Sequence, residues 1–294
     1  MADGAPALTV AVKSGRARRS ATWRTLFGGA GGLGAAIIVI ATLAAVFAPW
    51  VAPYDPVALD PPARLLGPTA EHWLGTDQYG RDTLSRIIFG GRASLSVAAA
   101  STLFALLVGG GLGVLAAYYR GWTDGLIMRV TDVLLSFPAI LLAIALLAFL
   151  GQGMVNLVLA IGLVYVGPFA RVARAAVLTV REELFVEASR SLGSRDWRVL
   201  LKAVLPMASA PLIVEVTLRL AYGILAEASL SFLGLGTQPP AASWGLMVAE
   251  GRRFLQLSPW ATVAPGLAIM LVVLGFNLFG DALRDALDPR TRGR

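Results

Sequence analysis

Between Asp132 and Arg171 lie 38 consecutive residues without a charged side chain. A helix needs about 20 apolar residues to cross the ~30 Å hydrocarbon layer of a bilayer, so a run this long holds two crossings joined by a tight turn. Gly151-Gln152-Gly153 is the place for that turn. The same pattern recurs on both sides. Ala30 to Trp50 is uncharged over 21 residues, Ala93 to Tyr119 over 27, and Pro259 to Gly280 forms a further uncharged stretch. Ala208 to Phe232 is equally apolar apart from Glu215, Arg219 and Glu227. These runs predict an all-α membrane protein with six transmembrane helices. Composition agrees: 56% of the 294 residues are hydrophobic, 15% are charged, and the mean hydropathy is +0.71.

Several kinds of chemistry are excluded at once. There is no cysteine and one histidine, His72, so disulfides, thiol redox centres, His-dependent triads and most zinc sites are ruled out, and no metal site is expected. The only lysines, Lys13 and Lys202, follow no glycine-rich loop that could cradle a nucleotide phosphate. The chain therefore cannot be its own P-loop ATPase.

The polar segments divide the chain. Residues 1–29 read as a basic cytoplasmic tail, 30–51 as the first transmembrane helix, 52–92 as an external loop and 93–294 as a core of five further helices. A cleaved signal peptide is the rival reading of the first span, but the run exceeds the ~7–15 residues of such a segment and Arg18-Arg19 lacks the flanking residues of a twin-arginine signal, so an uncleaved span is expected. Five prolines between Pro49 and Pro62 forbid a continuing helix. The stretch from Val51 to Arg92 then reads as a solvated loop with a short interfacial helix, where Asp82 and Arg86 stand at i, i+4. Pro138 is placed to kink or start the third span and Pro168 to kink the fourth.

Glu215, Arg219 and Glu227 stand out because ionisable groups at membrane depth face protein or water and find partners. Glu215 and Arg219 are one turn apart, which makes a same-helix ion pair the simplest arrangement and a place in the pathway or gate the alternative. Orientation follows from the basic residues. With the N-terminus inside, 18 of the 25 Lys and Arg fall on the inner side and six on the outer, with Arg219 between them. Both termini are thus expected in the cytoplasm. Topology also explains the net charge of +7, so no nucleic-acid role is needed.

One inner segment, 181–206, is polar and arginine-rich. Leu184, Ala188 and Leu192 form an apolar stripe on a first short helix, and Gly193 offers a residue able to take φ > 0 at its end. Ser194 is a candidate cap for a second helix carrying Trp197, Leu200, Leu201 and Val204, with Asp196 in its first turn and Pro206 as its stop.

The spacing of Glu187, Ala188, Ser189, Gly193, Leu205 and Pro206 resembles the EAA loop of ABC-transporter permease subunits, with Ser189 and Ala203 where the family more often has alanine and a larger aliphatic residue. GTDQYGRD from Gly75, EASLSFLGLGTQPPAASWGLMVAEGR from Glu227 and GDALRDALDPR from Gly280 are similar to the dipeptide/oligopeptide/nickel branch of that family, in the subunit type with an extra N-terminal span, the "C" permease. The resemblance covers about residues 30–290. It implies a type I importer permease core with one added helix, in a bacterial inner membrane, importing di- or oligopeptides, nickel complexes or glutathione. It also implies a docking role for Glu187, Ala188, Ser189, Gly193, Asp196, Leu205 and Pro206 toward cytoplasmic ATPase subunits. The implied partners are a paralogous second permease, two ATPases that use ATP and Mg, and an external solute-binding protein. No cofactor is then bound by this chain, and it is not itself an enzyme. A secondary transporter without an ATPase is the alternative from a different class.

Overall fold

The computed structural model describes residues 26–287. The basic tail before residue 26 and the last seven residues lie outside the described residues. Helix α1 spans Gly29–Val46 and is followed by a helical turn, Ala48–Val51. A loop leads to α2, Thr83–Tyr119, then α3, Gly121–Ser136, and α4, Ala139–Leu150. After the turn at Gly151 come α5, Met154–Arg181, the short α6, Leu184–Ser191, and α7, Asp196–Phe232. The last two are α8, Trp244–Gly251, and α9, Trp260–Leu287. Five of these helices are long and apolar enough to cross a membrane, and six spans result when α3 and α4 count as one broken span.

Long α2, α5 and α7 pack together at the centre. Val97, Leu157, Ile161, Phe169 and Leu230 are buried there, and Ala143 and Leu147 of α4 complete the cluster. Close approach depends on small residues, as expected where lipid tails compete with side chains for the helix surface. A β-carbon on Gly109 or Gly113 of α2 would collide with the carbonyls of Val166 and Ala170 on α5. The extra helix α1 seats against α9 in the same way: a β-carbon on Gly34 would lie 2.6 Å from the Gly275 oxygen. Gly31 faces Ala282 near the end of α9, so α1 runs antiparallel to it and its start shares a side with the α9 terminus.

At 28 residues, α5 and α9 reach about 42 Å, ample for a bilayer. Helix α4 has 12 residues and reaches only about 18 Å. The chain bends by 94° between α3 and α4, at Phe137-Pro138, and Pro138 is the residue before α4, so the expected third crossing of about 18–20 residues is replaced by a short helix set at an angle to α3. Pro168 lies inside an unbroken α5.

Three expectations are corrected. First, Pro206 does not stop the second short helix. Residues 196 to 232 are continuously helical, because a wide π turn, Leu200–Val204, precedes the proline and makes room for a ring that would strike the carbonyl four residues back in a regular helix. Second, the segment before α2 is not a solvated loop. Thr76, Asp77, Gln78, Arg81 and Asp82 are buried, and α2 already begins at Thr83. Third, Asp82 does not pair with Arg86. Its carboxylate caps α2 by accepting from the Ser85 amide at 2.7 Å and meets His72 Nδ1 at 2.9 Å.

The ends of the helices sort into two sides. Gln152, in the α4–α5 turn, donates to the carbonyl of Gly234 at the end of α7, and Arg81 and Arg86 reach Glu250 of α8, so these connections share one side. The opposite side holds α6, the end of α2, the start of α1 and the end of α9.

Candidate functional site

Two regions hold the residues singled out in the sequence. The first is the knob between α5 and α7. Gly193 has φ +78°, and the Ser194 amide donates back to the Ser189 carbonyl at 3.2 Å, closing α6 with a left-handed turn. Ser194 therefore ends one helix and does not cap the next; the cap position of α7 is Arg195, without a side-chain bond. The knob has two faces. Val186, Val199 and Val204 are buried against Val114, Ala117, Ala173, Val177 and Ala208, which fixes the knob to α2 and α5. The other face is bare. Leu184 is 80% exposed and Leu192 86%, and Trp197 and Leu201 are also exposed. Glu187, Ala188, Asp196 and Pro206 lie on the surface, and Ser189 and Leu205 are half-buried.

Polar contacts tie this knob to the membrane helices. Tyr118 donates its hydroxyl to Asp196, reaching the carbonyl at 2.9 Å and Oδ1 at 2.8 Å. Arg181 donates to the carbonyls of Ala117 and Tyr118, and Arg120 pairs with Glu182 at 2.9 Å. Helix α3 is held by two ion pairs to α5: Arg174 forks onto both oxygens of Asp124 at 2.6 Å, and Arg171 meets Asp132 at 2.7 Å. A cleft of about 340 Å³ opens between them, lined by Met128, Asp132, Arg171 and Arg174.

The second region is α7 at membrane depth. Arg219 Nε donates to Glu215 Oε1 at 2.6 Å, the same-helix pair that the spacing predicts. The guanidinium lies 5.2 Å from the Tyr165 ring and 5.8 Å from that of Tyr222. Charges here cost about 2.5–3.5 kcal/mol each on insertion scales, and pairing offsets much of that cost. Glu227 is not part of this group. It is fully buried and accepts from Ser94 Oγ of α2 at 2.8 Å and Ser231 Oγ at 2.7 Å. The Trp244 amide donates in turn to Ser94 Oγ, so Glu227 anchors α8 onto α2 and α7.

Tyr118, Arg181, Ser94, Tyr165, Tyr222 and Glu250 were not singled out by sequence reasoning. Their partners lie far away in the chain, and no local spacing marks them. Only for Tyr222 is there a local signal, since it stands three residues after Arg219.

A helical bundle with five or six apolar spans, a charged pair at mid-depth and exposed apolar residues on a knob at one end defines a multi-pass membrane protein. Comparison narrows the class. The model of the binding-protein-dependent transport system inner membrane component matches residues 109–293, and that of the N-terminal TM domain of oligopeptide transport permease C matches residues 30–68. The chain is 46% identical to the dipeptide transport system permease protein DppC of Alkalihalophilus pseudofirmus, over 88% of this chain and 86% of that protein. It is 43% identical to the glutathione transport system permease protein GsiD of Pectobacterium atrosepticum, over 92% and 90%. Among solved structures, an inward-facing MetNI methionine ABC transporter chain has the same core fold, with a TM-score of 0.59 at 19% identity over 70% of this chain and 97% of that one. The chain belongs to the family of binding-protein-dependent transport system inner membrane components, and is a permease subunit of an ABC importer.

Proposed function

We propose that this chain forms half of the translocation pathway of an ATP-driven importer of di- or oligopeptides or of glutathione, and that the knob from Glu187 to Pro206 carries movement from cytoplasmic ATPases into α7. The observation that carries the coupling role is the bare apolar face of Leu184, Leu192, Trp197 and Leu201, on a knob whose opposite face is locked to α2 and α5. Four large apolar side chains left exposed within one short segment favour a protein partner. The helix that continues from Asp196 through the π turn to Phe232 supports the same reading, since it joins the knob directly to the membrane span. The relatives transport a dipeptide and glutathione, which supports a peptide-type solute here.

The partners in this reading are a paralogous second permease, two ATPase subunits that hydrolyse ATP with Mg, and an external solute-binding protein. The membrane is the bacterial inner membrane, with both termini and the knob in the cytoplasm. Family membership leaves the ATPase-independent secondary transporter without support.

Gly193→Val tests the coupling role. A β-carbon there meets no atom of this chain within 4 Å, so the cost inside the chain is conformational, about 1–2 kcal/mol for a left-handed residue. Any clash is with a docked partner. The variant, and Leu192→Asp beside it, should reach the membrane at near-normal level, lose copurifying ATPase and fail in ATP-dependent dipeptide uptake in proteoliposomes. Normal coupling in both variants overturns the assignment.

A further inference from the structure

Arg219 lies midway along the apolar length of α7, Leu205–Phe232, yet its side chain is 23% exposed. A charge at that depth is costly in lipid, so this face of α7 is turned to protein or to water. Only Nε of the guanidinium is bonded, to Glu215 Oε1. Among the described residues none hydrogen-bonds its two terminal amino groups, which are the pair of parallel donors that a carboxylate accepts end-on. The guanidinium carbon lies over the rings of Tyr165 and Tyr222, at 5.2 and 5.8 Å from their centroids. Against these rings opens an apolar cavity of about 230 Å³ between α4, α5 and α7, with Ala139, Ile140, Tyr165, Tyr222, Leu225 and Ala226 in its wall.

We propose that Arg219 receives the free carboxylate of the passing solute, while the adjoining cavity takes an apolar side chain next to it. The site thus reads a carboxylate with an apolar neighbour, as at the C-terminus of a peptide. Glu215 keeps the pair neutral, which disfavours a dianion and keeps the hold on a monoanion weak. Weak binding suits a pathway, where a solute has to leave as readily as it enters. This inference rests on the reading of the chain as half of a pathway for peptide-type solutes.

The chain has no cysteine, so one can be introduced as a reporter. Ala226→Cys places a thiol in the cavity wall of the complete permease–ATPase complex in nanodiscs. Alanyl-phenylalanine should slow maleimide labelling of that thiol at concentrations at least tenfold below those needed by its C-terminal amide. In a Glu215→Gln, Arg219→Gln background, which leaves no charge unpaired, the difference between acid and amide should vanish. The inference is overturned if acid and amide protect alike, if the preference for the acid survives in the double variant, or if the thiol never labels because this face is packed against the second permease. ATP hydrolysis by the same preparation separates the two levels of the argument. If external binding protein stimulates hydrolysis and the acid is still not preferred, the inference falls and the importer reading stands. If hydrolysis does not respond, the importer reading falls and takes the inference with it.

Discussion

The hydroxyl of Tyr118, in the last turn of α2, donates to both the carbonyl and the carboxylate of Asp196, the first residue of α7. The two residues are 78 positions apart, and their contact joins the knob to a helix outside it. Tyr118 is 4% exposed, so the contact is held in one geometry.

Removing that hydroxyl should loosen transmission without unfolding the knob. Tyr118→Phe deletes a bond worth about 0.5–1.5 kcal/mol and strands no buried charge, since Asp196 is at the surface. Val186, Val199 and Val204 still fix the knob. The expected result is faster amide exchange from Leu184 to Val199 and more ATP hydrolysed per solute imported. An unchanged ratio of ATP to solute would show that Tyr118 carries no movement.

Sidedness can be tested with single cysteines. Gln152 lies at the end of the bundle opposite the knob, and it donates to Gly234 rather than to anything near α6. A cysteine at Gln152 should label from outside intact cells with a membrane-impermeant maleimide, and one at Ser194 only after the cells are opened. The reverse pattern would invert the orientation derived from the basic residues.

Five spans were legible because charge-free length is a local property, and lipid imposes it directly on the sequence; the stretch before Gly151 was not, since its apolar run yields only the 12-residue α4 after a 94° bend that uncharged length does not reveal. The Glu215–Arg219 pair was legible for a related reason, as i, i+4 spacing on a helix fixes contact without knowledge of the fold. Asp82 shows where such spacing misleads: as the residue before α2 its carboxylate turns back to the Ser85 amide, away from Arg86. Pro206 misled because a π turn cannot be read from residue type, and that turn is what allows a proline inside a continuous helix. The bare face of the knob was half legible. The stripe Leu184, Ala188, Leu192 is there, but only the fold reveals that Val186 faces inward and the stripe outward.

The ion pair on α7 should behave as a unit. Glu215 is 11% and Arg219 23% exposed, so neutralising one leaves its partner charged at membrane depth, at a cost of about 3–5 kcal/mol for a buried pair. Glu215→Gln and Arg219→Gln should each lower the yield and melting temperature of the assembled permease. The double variant should recover most of both. Additive losses would mean that the two charges have separate partners in the complex.

The final prediction concerns the folded layer on the side opposite the knob. Arg81 and Arg86 are 5% and 1% exposed, and both converge on Asp77 and Glu250. Arg81 meets Asp77 at 2.6 Å, and each arginine reaches Glu250 Oε2 at 3.2 Å. Asp77 precedes α2 and Glu250 belongs to α8, so the network clamps the loop after α1 to the segment between α7 and α9. Two cations and two carboxylates balance. Glu250→Ala leaves two buried guanidinium groups sharing one carboxylate, and an uncompensated buried charge costs about 3–5 kcal/mol. The loop from Pro53 to Asp82 is the part that should give way, since among the described residues hydrogen bonds beyond the network and its own turns hold it only at its ends, by the Tyr54 amide on Ser85 Oγ and by Gly75 and Asp82 at the start of α2, whereas α8 is also held through Trp244 and Ser94. In Glu250→Ala the segment around His72 should become sensitive to protease added from the outer side, and the helices should stay intact. Glu250→Gln, which keeps an acceptor for both arginines, should be damaged less. Equal protease resistance in wild type and Glu250→Ala would mean that the loop holds its fold without the clamp.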